Sequence, residues 1–188
     1  WGRQCIRGSF TEIVLPESLD SLNQKAFSDC SKLTEITLNK GLKYIGESAF
    51  ENCTSLYGIT LNDGLNTIGK KAFYGCGQLS EITLNEGLEM IDEKAFCGCE
   101  QLETVTLPAS LDFIGNEAFY NSVRDVYPKR PAAPCIDWYT FNRSVVVHVE
   151  NIAQYKAYHQ DEKWKDYEYA TTQDKVTYEW VGETSVKV

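Results

Sequence analysis

Residues 33 to 53 read Leu33-Thr34-Glu35-Ile36-Thr37-Leu38-Asn39-Lys40-Gly41-Leu42-Lys43-Tyr44-Ile45-Gly46-Glu47-Ser48-Ala49-Phe50-Glu51-Asn52-Cys53. Thr34 to Leu38 alternates polar and apolar residues, and Thr and Ile favour an extended chain, which predicts a short strand. Asn39-Lys40-Gly41 predicts a turn in which Gly41 supplies a positive φ. Leu42 to Ile45 predicts a second short extended piece. Glu47 to Asn52 predicts one turn of helix, with Ala49, Phe50 and Cys53 facing inward. A unit this small cannot cover its own apolar residues, so it must stack on copies of itself.

The copies are present. Phe27, Phe50, Phe73, Phe96 and Phe119 recur at a 23-residue step, each preceded by Ala. Cys30, Cys53, Cys76 and Cys99 keep the same step. Further columns are Ile45, Ile68, Ile91 and Ile114 (with Leu22 first), then Leu19 to Leu111, Leu15 to Leu107, Ile13 to Val105 and Phe10 to Leu102. Five copies without insertion or deletion occupy residues 10–122. Parallel strands at ~4.8 Å per rung would give a sheet about 20–25 Å tall. The expected architecture is an α/β solenoid, a short right-handed superhelix of short parallel strands.

The pattern L-x-x-I-x-L-N-x-G-L-x-x-I-G-x-x-A-F-x-x-C resembles the BspA-type leucine-rich repeat, a variant common in surface proteins of bacteria living in animal hosts. The resemblance implies a non-enzymatic, secreted or cell-surface module that binds protein partners, host matrix proteins or other cell-surface proteins among them. It also implies a C-terminal cap made of a Pro-containing strand, a V-x-V strand and a helix. Val147-His148-Val149, Tyr155-Lys156 and Trp164-Lys165-Asp166-Tyr167 match that ending.

The residues read the same way. Register breaks near Tyr120, with Ser122 where the next cysteine would fall and Val123 to Tyr127 in the strand position. Pro128, Pro131 and Pro134 are expected to end the ladder, because Pro cannot donate to it. Ser144 to Val149 predicts a strand. Asn151 to Tyr167 predicts a helix capped by Asn151, with Gln154 at the capping-box position and Ile152, Tyr155 and Tyr158 on one face. Trp164 and Tyr167 either extend that face or follow a break near Asp161. The expected division is 1–9 as an N-terminal extension, 10–122 as the solenoid, 123–169 as the strand–helix cap and 170–188 as a tail. That tail is either a β-hairpin or the first strand of a further domain.

Composition narrows the function. The chain has 188 residues, a net charge of −9 and 8 Phe, 11 Tyr and 4 Trp, which suits a packed protein rather than a disordered one. Residues 10–122 carry 17 acidic and 7 basic side chains, so the excess acidity sits on the repeats. Nucleic acid is not an expected partner, since phosphate binding needs clustered cations. No apolar run approaches the ~18 residues of a membrane span. Trp1 to Ser9 holds no signal-peptide pattern, and a start at Trp rather than Met is read as a processed or recombinant one.

Chemistry has few candidates. Thiols in a line cannot surround one ion, so no metal is expected at the cysteine column. Rung-to-rung disulfides would need Cβ vectors that face each other. Cys30, Cys53, Cys76 and Cys99, with Phe27, Phe50, Phe73, Phe96 and Phe119, are therefore read as a buried structural ladder. Cys97 stands in a column with Ser28, Glu51, Tyr74 and Tyr120, which predicts an exposed, reactive or dimer-forming thiol. Cys5 and Cys135 lie outside the repeat and are not expected to meet. A Cys135–His nucleophile lacks an orienting group. No catalytic residue and no cofactor are expected, and a monomer is favoured. The candidate binding surface is the outward strand face: Glu35, Thr37, Tyr57, Thr60, Glu81, Thr83, Glu103 and Thr106. Two other readings are a carbohydrate-binding module using Trp138, Tyr139, Trp164 and Trp180, and a structural spacer.

Overall fold

The computed structural model describes residues 11–171, with the backbone of two short strands beyond. Expectations for 1–9, for Cys5 and Phe10, and for the Trp180 side chain lie outside the described residues. The outward face is built from β1 (Glu12–Val14), β3 (Glu35–Thr37), β5 (Gly58–Thr60) and β7 (Glu81–Thr83), paired in parallel in that order. It continues through a second parallel sheet of β9 (Thr104–Leu107), β11 (Asp125–Pro128), β13 (Val146–Val149) and β14 (Glu168–Thr171). The opposite wall is one six-stranded parallel sheet. Its two-residue strands are β2 (Ser21–Leu22), β4 (Tyr44–Ile45), β6 (Thr67–Ile68), β8 (Met90–Ile91), β10 (Phe113–Ile114) and β12 (Cys135–Ile136). Register follows the sequence columns, as in Ile36 against Ile59 and Ile59 against Ile82.

Between the walls runs a third edge, expected as helix and built otherwise. The Ala49, Glu51 and Cys53 amides bond within the turn, to the carbonyls of Gly46, Ser48 and Phe50. The alternate amides of Ser48, Phe50 and Asn52 reach the next rung, to Lys70, Ala72 and Tyr74. An α-helix would direct every amide to its own i−4 carbonyl and leave none for the neighbour. The alternation requires left-handed residues at Ser48 (φ 56°) and Asn52 (φ 59°). The second of these columns is Asp29, Asn52, Gly75, Gly98 and Asn121, the residue types that enter that region most readily.

Glycine in the strand-to-strand turn has another cause than the one expected. Gly41 is not left-handed. A Cβ there would make an ordinary contact with the Glu17 carbonyl at 3.4 Å, but in later rungs it would stand 3.3 Å from the Lys40 carbonyl at Gly64 and 3.0 Å from that of Asp63 at Gly87, so close stacking favours glycine in those rungs. The constraint is tighter at Gly46, where a Cβ would lie 2.3 Å from the Leu22 carbonyl oxygen.

The core is two ladders side by side. Phe27, Phe50, Phe73, Phe96, Phe119 and Phe141 stack at centroid spacings of 5.1–5.4 Å with rings nearly parallel. Next to them the Sγ of Cys53, Cys76 and Cys99 donates to the carbonyl of Phe27, Phe50 and Phe73 at 3.1–3.2 Å. In a further column the amides of Asn39, Asn62 and Asn85 donate to Leu19, Leu42 and Leu65 of the preceding rung.

The C-terminal segment prolongs this solenoid rather than only closing it. Pro128 sits inside β11 opposite Leu107, and the ladder goes on to β13 and β14. Proline fits there as the last residue of its strand, and the Lys129 amide makes the next bond, to the Leu107 carbonyl. Helix α1 (Ile152–His159) is shorter than expected, and turns after Asp161 lead into β14. Asn151 Oδ1 accepts from the Gln154 amide, as an N-cap should. Gln154 Oε1 accepts from the amide of Glu150, not of Asn151, and its Nε2 donates to the carbonyls of Pro128 and Arg130. Ile152 is exposed, while Tyr155 and Tyr158 are buried. Beyond this, β15 (Glu179–Trp180) and β16 (Val186–Lys187) pair antiparallel.

Candidate functional site

The outward residues of β3, β5 and β7 form a shallow groove of about 320 Å³. Glu35, Thr37, Tyr57, Thr60, Glu81 and Thr83 line it, with Gly58 and the edges of Ile36, Ile59 and Ile82. The strands present these side chains because period-two alternation turns Ile inward and Glu or Thr outward. Parallel register stacks Glu35, Gly58 and Glu81 in one row and Thr37, Thr60 and Thr83 in the next. Tyr57 is 48% exposed at the strand entry. Glu103 and Thr106 are also exposed but line no part of this groove. They lie at β9, which pairs with β11 and begins the second sheet.

Farther along the same face stands a group that the residue pattern did not reveal. His148 Nε2 lies 2.5 Å from Asp125 Oδ1, and its ring stacks on Tyr127 at 4.3 Å. The signal was the V-x-V strand itself, whose middle residue faces outward. A ladder that ended at the proline segment would have left that residue without a neighbouring strand, whereas β13 pairs with β11 and brings His148 to Asp125.

The cysteines divide differently from the expectation. Cys30 is disulfide-bonded, so the thiol ladder proper is Cys53, Cys76 and Cys99. Burial pushes the Cys53 thiol up to about 12, and drives those of Cys76 and Cys99 upward as well. Cys97, expected at the surface, is buried beneath its turn, and desolvation raises its pKa too. The turn backbone does not set it apart, since the same pair of left-handed residues flanks every member of its column, where Ser28, Glu51 and Tyr74 are half-buried and Tyr120 is exposed. Cys135 is free and exposed on β12, a different sheet from that of His148. Among the described residues no group of three His, Cys, Asp or Glu side chains is arranged to hold a metal ion, and no helix is long and apolar enough to cross a membrane.

The aromatic candidates also separate. Trp164 is fully buried, closing the phenylalanine stack against Phe141 and donating its Nε1 to the Pro134 carbonyl at 2.9 Å. Trp138 and Tyr139 are exposed next to each other, and Lys163 lies over the Trp138 ring at 5.7 Å.

Stacked rungs with this residue pattern define a leucine-rich repeat solenoid. The family model of the BspA type leucine rich repeat region matches residues 5–124 in six copies, and the chain belongs to that family. A leucine rich repeat protein of T. pallidum is 32% identical, with a TM-score of 0.68 over 74% of this chain and 69% of that one. A leucine-rich repeat protein from Bacteroides ovatus is 24% identical, with a TM-score of 0.55 over 75% of this chain and 49% of that one. A leucine rich cell surface protein from Faecalibacterium prausnitzii is 21% identical, with a TM-score of 0.57 over 92% of this chain and 52% of that one. The chain thus spans about half the length of the last two. No curated protein matches it.

Proposed function

We propose that the chain is a non-enzymatic, adhesin-like module of a secreted or cell-surface protein, binding a protein partner through the strand face of β3, β5 and β7. The observation that carries this reading is the groove itself. It is a regular array of exposed Glu, Thr and Tyr side chains on a sheet that none of the described residues covers. Such a surface offers recognition at low entropic cost, since the backbone beneath is held rung to rung before any partner arrives. Membership of the repeat family supports a protein-interaction role. The adhesive role and the external location rest on the family resemblance.

The test is a pull-down of host matrix proteins with the wild type and with a Tyr57→Ala/Thr60→Arg/Thr83→Arg variant. Binding lost in the variant supports the face, and equal capture by both rejects it. A carbohydrate-binding reading retains support from Trp138 and Tyr139, exposed side by side, but no longer from Trp164. A glycan array without hits removes it.

A further inference from the structure

The groove narrows to one notch. Gly58 stands in the row Glu12, Glu35, Gly58, Glu81, so a single side chain is missing between two carboxylates. Structural reasons for glycine are absent here. Gly58 is not left-handed, and a Cβ built on it meets nothing within 4 Å. A glycine inside a strand weakens the strand, and it often marks a place where another molecule approaches closely. Glu35 and Glu81 flank the opening, with Cα atoms two rungs apart, about 10 Å by sheet spacing.

Charge is the second observation, independent of the glycine. The outward strand positions from Thr11 to Thr106 include Glu12, Glu35, Glu81 and Glu103 and no basic residue. None of these four carboxylates forms an ion pair among the described residues. Off the strand face four acids of the repeats hold cations: Glu93 holds Lys70 and Lys94, Glu117 holds Lys94, Glu86 holds Lys129, and Asp112 holds Arg130, while nine others have no ion pair among the described residues. The strand face therefore carries carboxylates with no basic residue among its own outward positions.

We propose that the notch over Gly58 receives a Lys or Arg side chain of the protein partner. Its cationic head lies between Glu35 and Glu81, and its aliphatic stem runs against the Tyr57 ring. This rests on the strand-face reading and adds the chemistry of the contact. A glycine floor admits the stem, and two carboxylates match one cation at better geometry than either would alone. Association should weaken as salt rises, because the pairs are exposed.

A phage-displayed random peptide library panned on the wild-type chain tests it. The expected result is a set of binders sharing one Lys or Arg position. Their affinity falls about tenfold for Glu35→Gln/Glu81→Gln, as two exposed ion pairs would allow, and at least as far for Gly58→Leu, which fills the notch without touching charge. A neutral variant, Thr37→Tyr/Thr83→Tyr, obstructs the rest of the face. Binders lost on that variant but indifferent to the notch variants overturn the proposal and keep the strand-face reading. Binders indifferent to both sets, or an unenriched library, overturn both.

Discussion

Between β3 and β7 each rung repeats the last: phenylalanine on phenylalanine, a thiol on the carbonyl of the preceding rung, and an asparagine on the turn beneath. From β11 to β14 the same ladder is held by side chains that occur once. Phe141 is met by Trp164 tilted and Tyr167 edge-on, Tyr158 bonds the Arg130 carbonyl, and Gln154 ties the helix to the proline segment. The outer faces differ as well, unpaired glutamates in the first part against the His148–Asp125 contact in the second. A repeating rung needs only nearest-neighbour contacts, whereas a terminal region must satisfy groups that have no next rung to meet them.

Trp164→Ala should be the most damaging single change in the terminal region. It removes the lid of the phenylalanine stack and the donor to Pro134, so a loss near 5 kcal/mol, the top of the ~3–5 range for such truncations, is expected in urea unfolding. Phe73→Ala, in the middle of the repeats, should cost about 3–4 kcal/mol, because its stacked neighbours Phe50 and Phe96 can lean partly into the space. If the two values reverse, the terminal region is not the tighter half.

Next in size is Gly46→Ala, about 2 kcal/mol, since a backbone carbonyl rather than a flexible side chain blocks the new methyl. Asp92 occupies the same column four strands on, so the cost should shrink at that rung. Thiol labelling then separates the halves chemically. Among Cys53, Cys76, Cys97, Cys99 and Cys135, only Cys135 should react quickly at pH 8. The buried four should lag by roughly a hundredfold, because burial disfavours their thiolates. Rapid labelling of Cys97 in the native protein would contradict its placement under the turn.

The smallest effect concerns pH. The Lys70 ammonium bonded to Glu93 holds that carboxyl below the ordinary range, and Lys129 does the same for Glu86. A folded pKa below the unfolded one gives stability that is complete above the unfolded value and lost as pH falls through the folded one. Denaturation midpoints should therefore drop slightly more below about pH 4 in the wild type than in a Lys70→Met/Lys129→Met variant.

Two features of the turn edge show how far reading residues could go. The column Asp29, Asn52, Gly75, Gly98 and Asn121 advertises its left-handed backbone by composition. Lys25, Ser48, Lys71, Lys94, Glu117 and Tyr139 share that conformation with no such signal. Lys25, Ser48, Lys71 and Lys94 are held there because their amides bond carbonyls of the next rung, and that interaction outweighs a local cost of ~1–2 kcal/mol per residue. The sixth phenylalanine was hidden for a related reason. Its rung is 22 residues long, with Thr140 in place of Ala, and only the stacked ring exposes the equivalence.

The amino-acid sequence by itself determined the period, the inward and outward columns and the family. These follow from short-range alternation repeated at one step, so any one rung predicts the next. Tertiary structure alone decided that the edge is made of tight turns, that Cys97 is covered, that Pro128 stays in the ladder and that Glu35, Gly58 and Glu81 enclose one notch. Each of those depends on what a neighbouring rung places a few ångströms away, and a residue's own identity does not specify that distance.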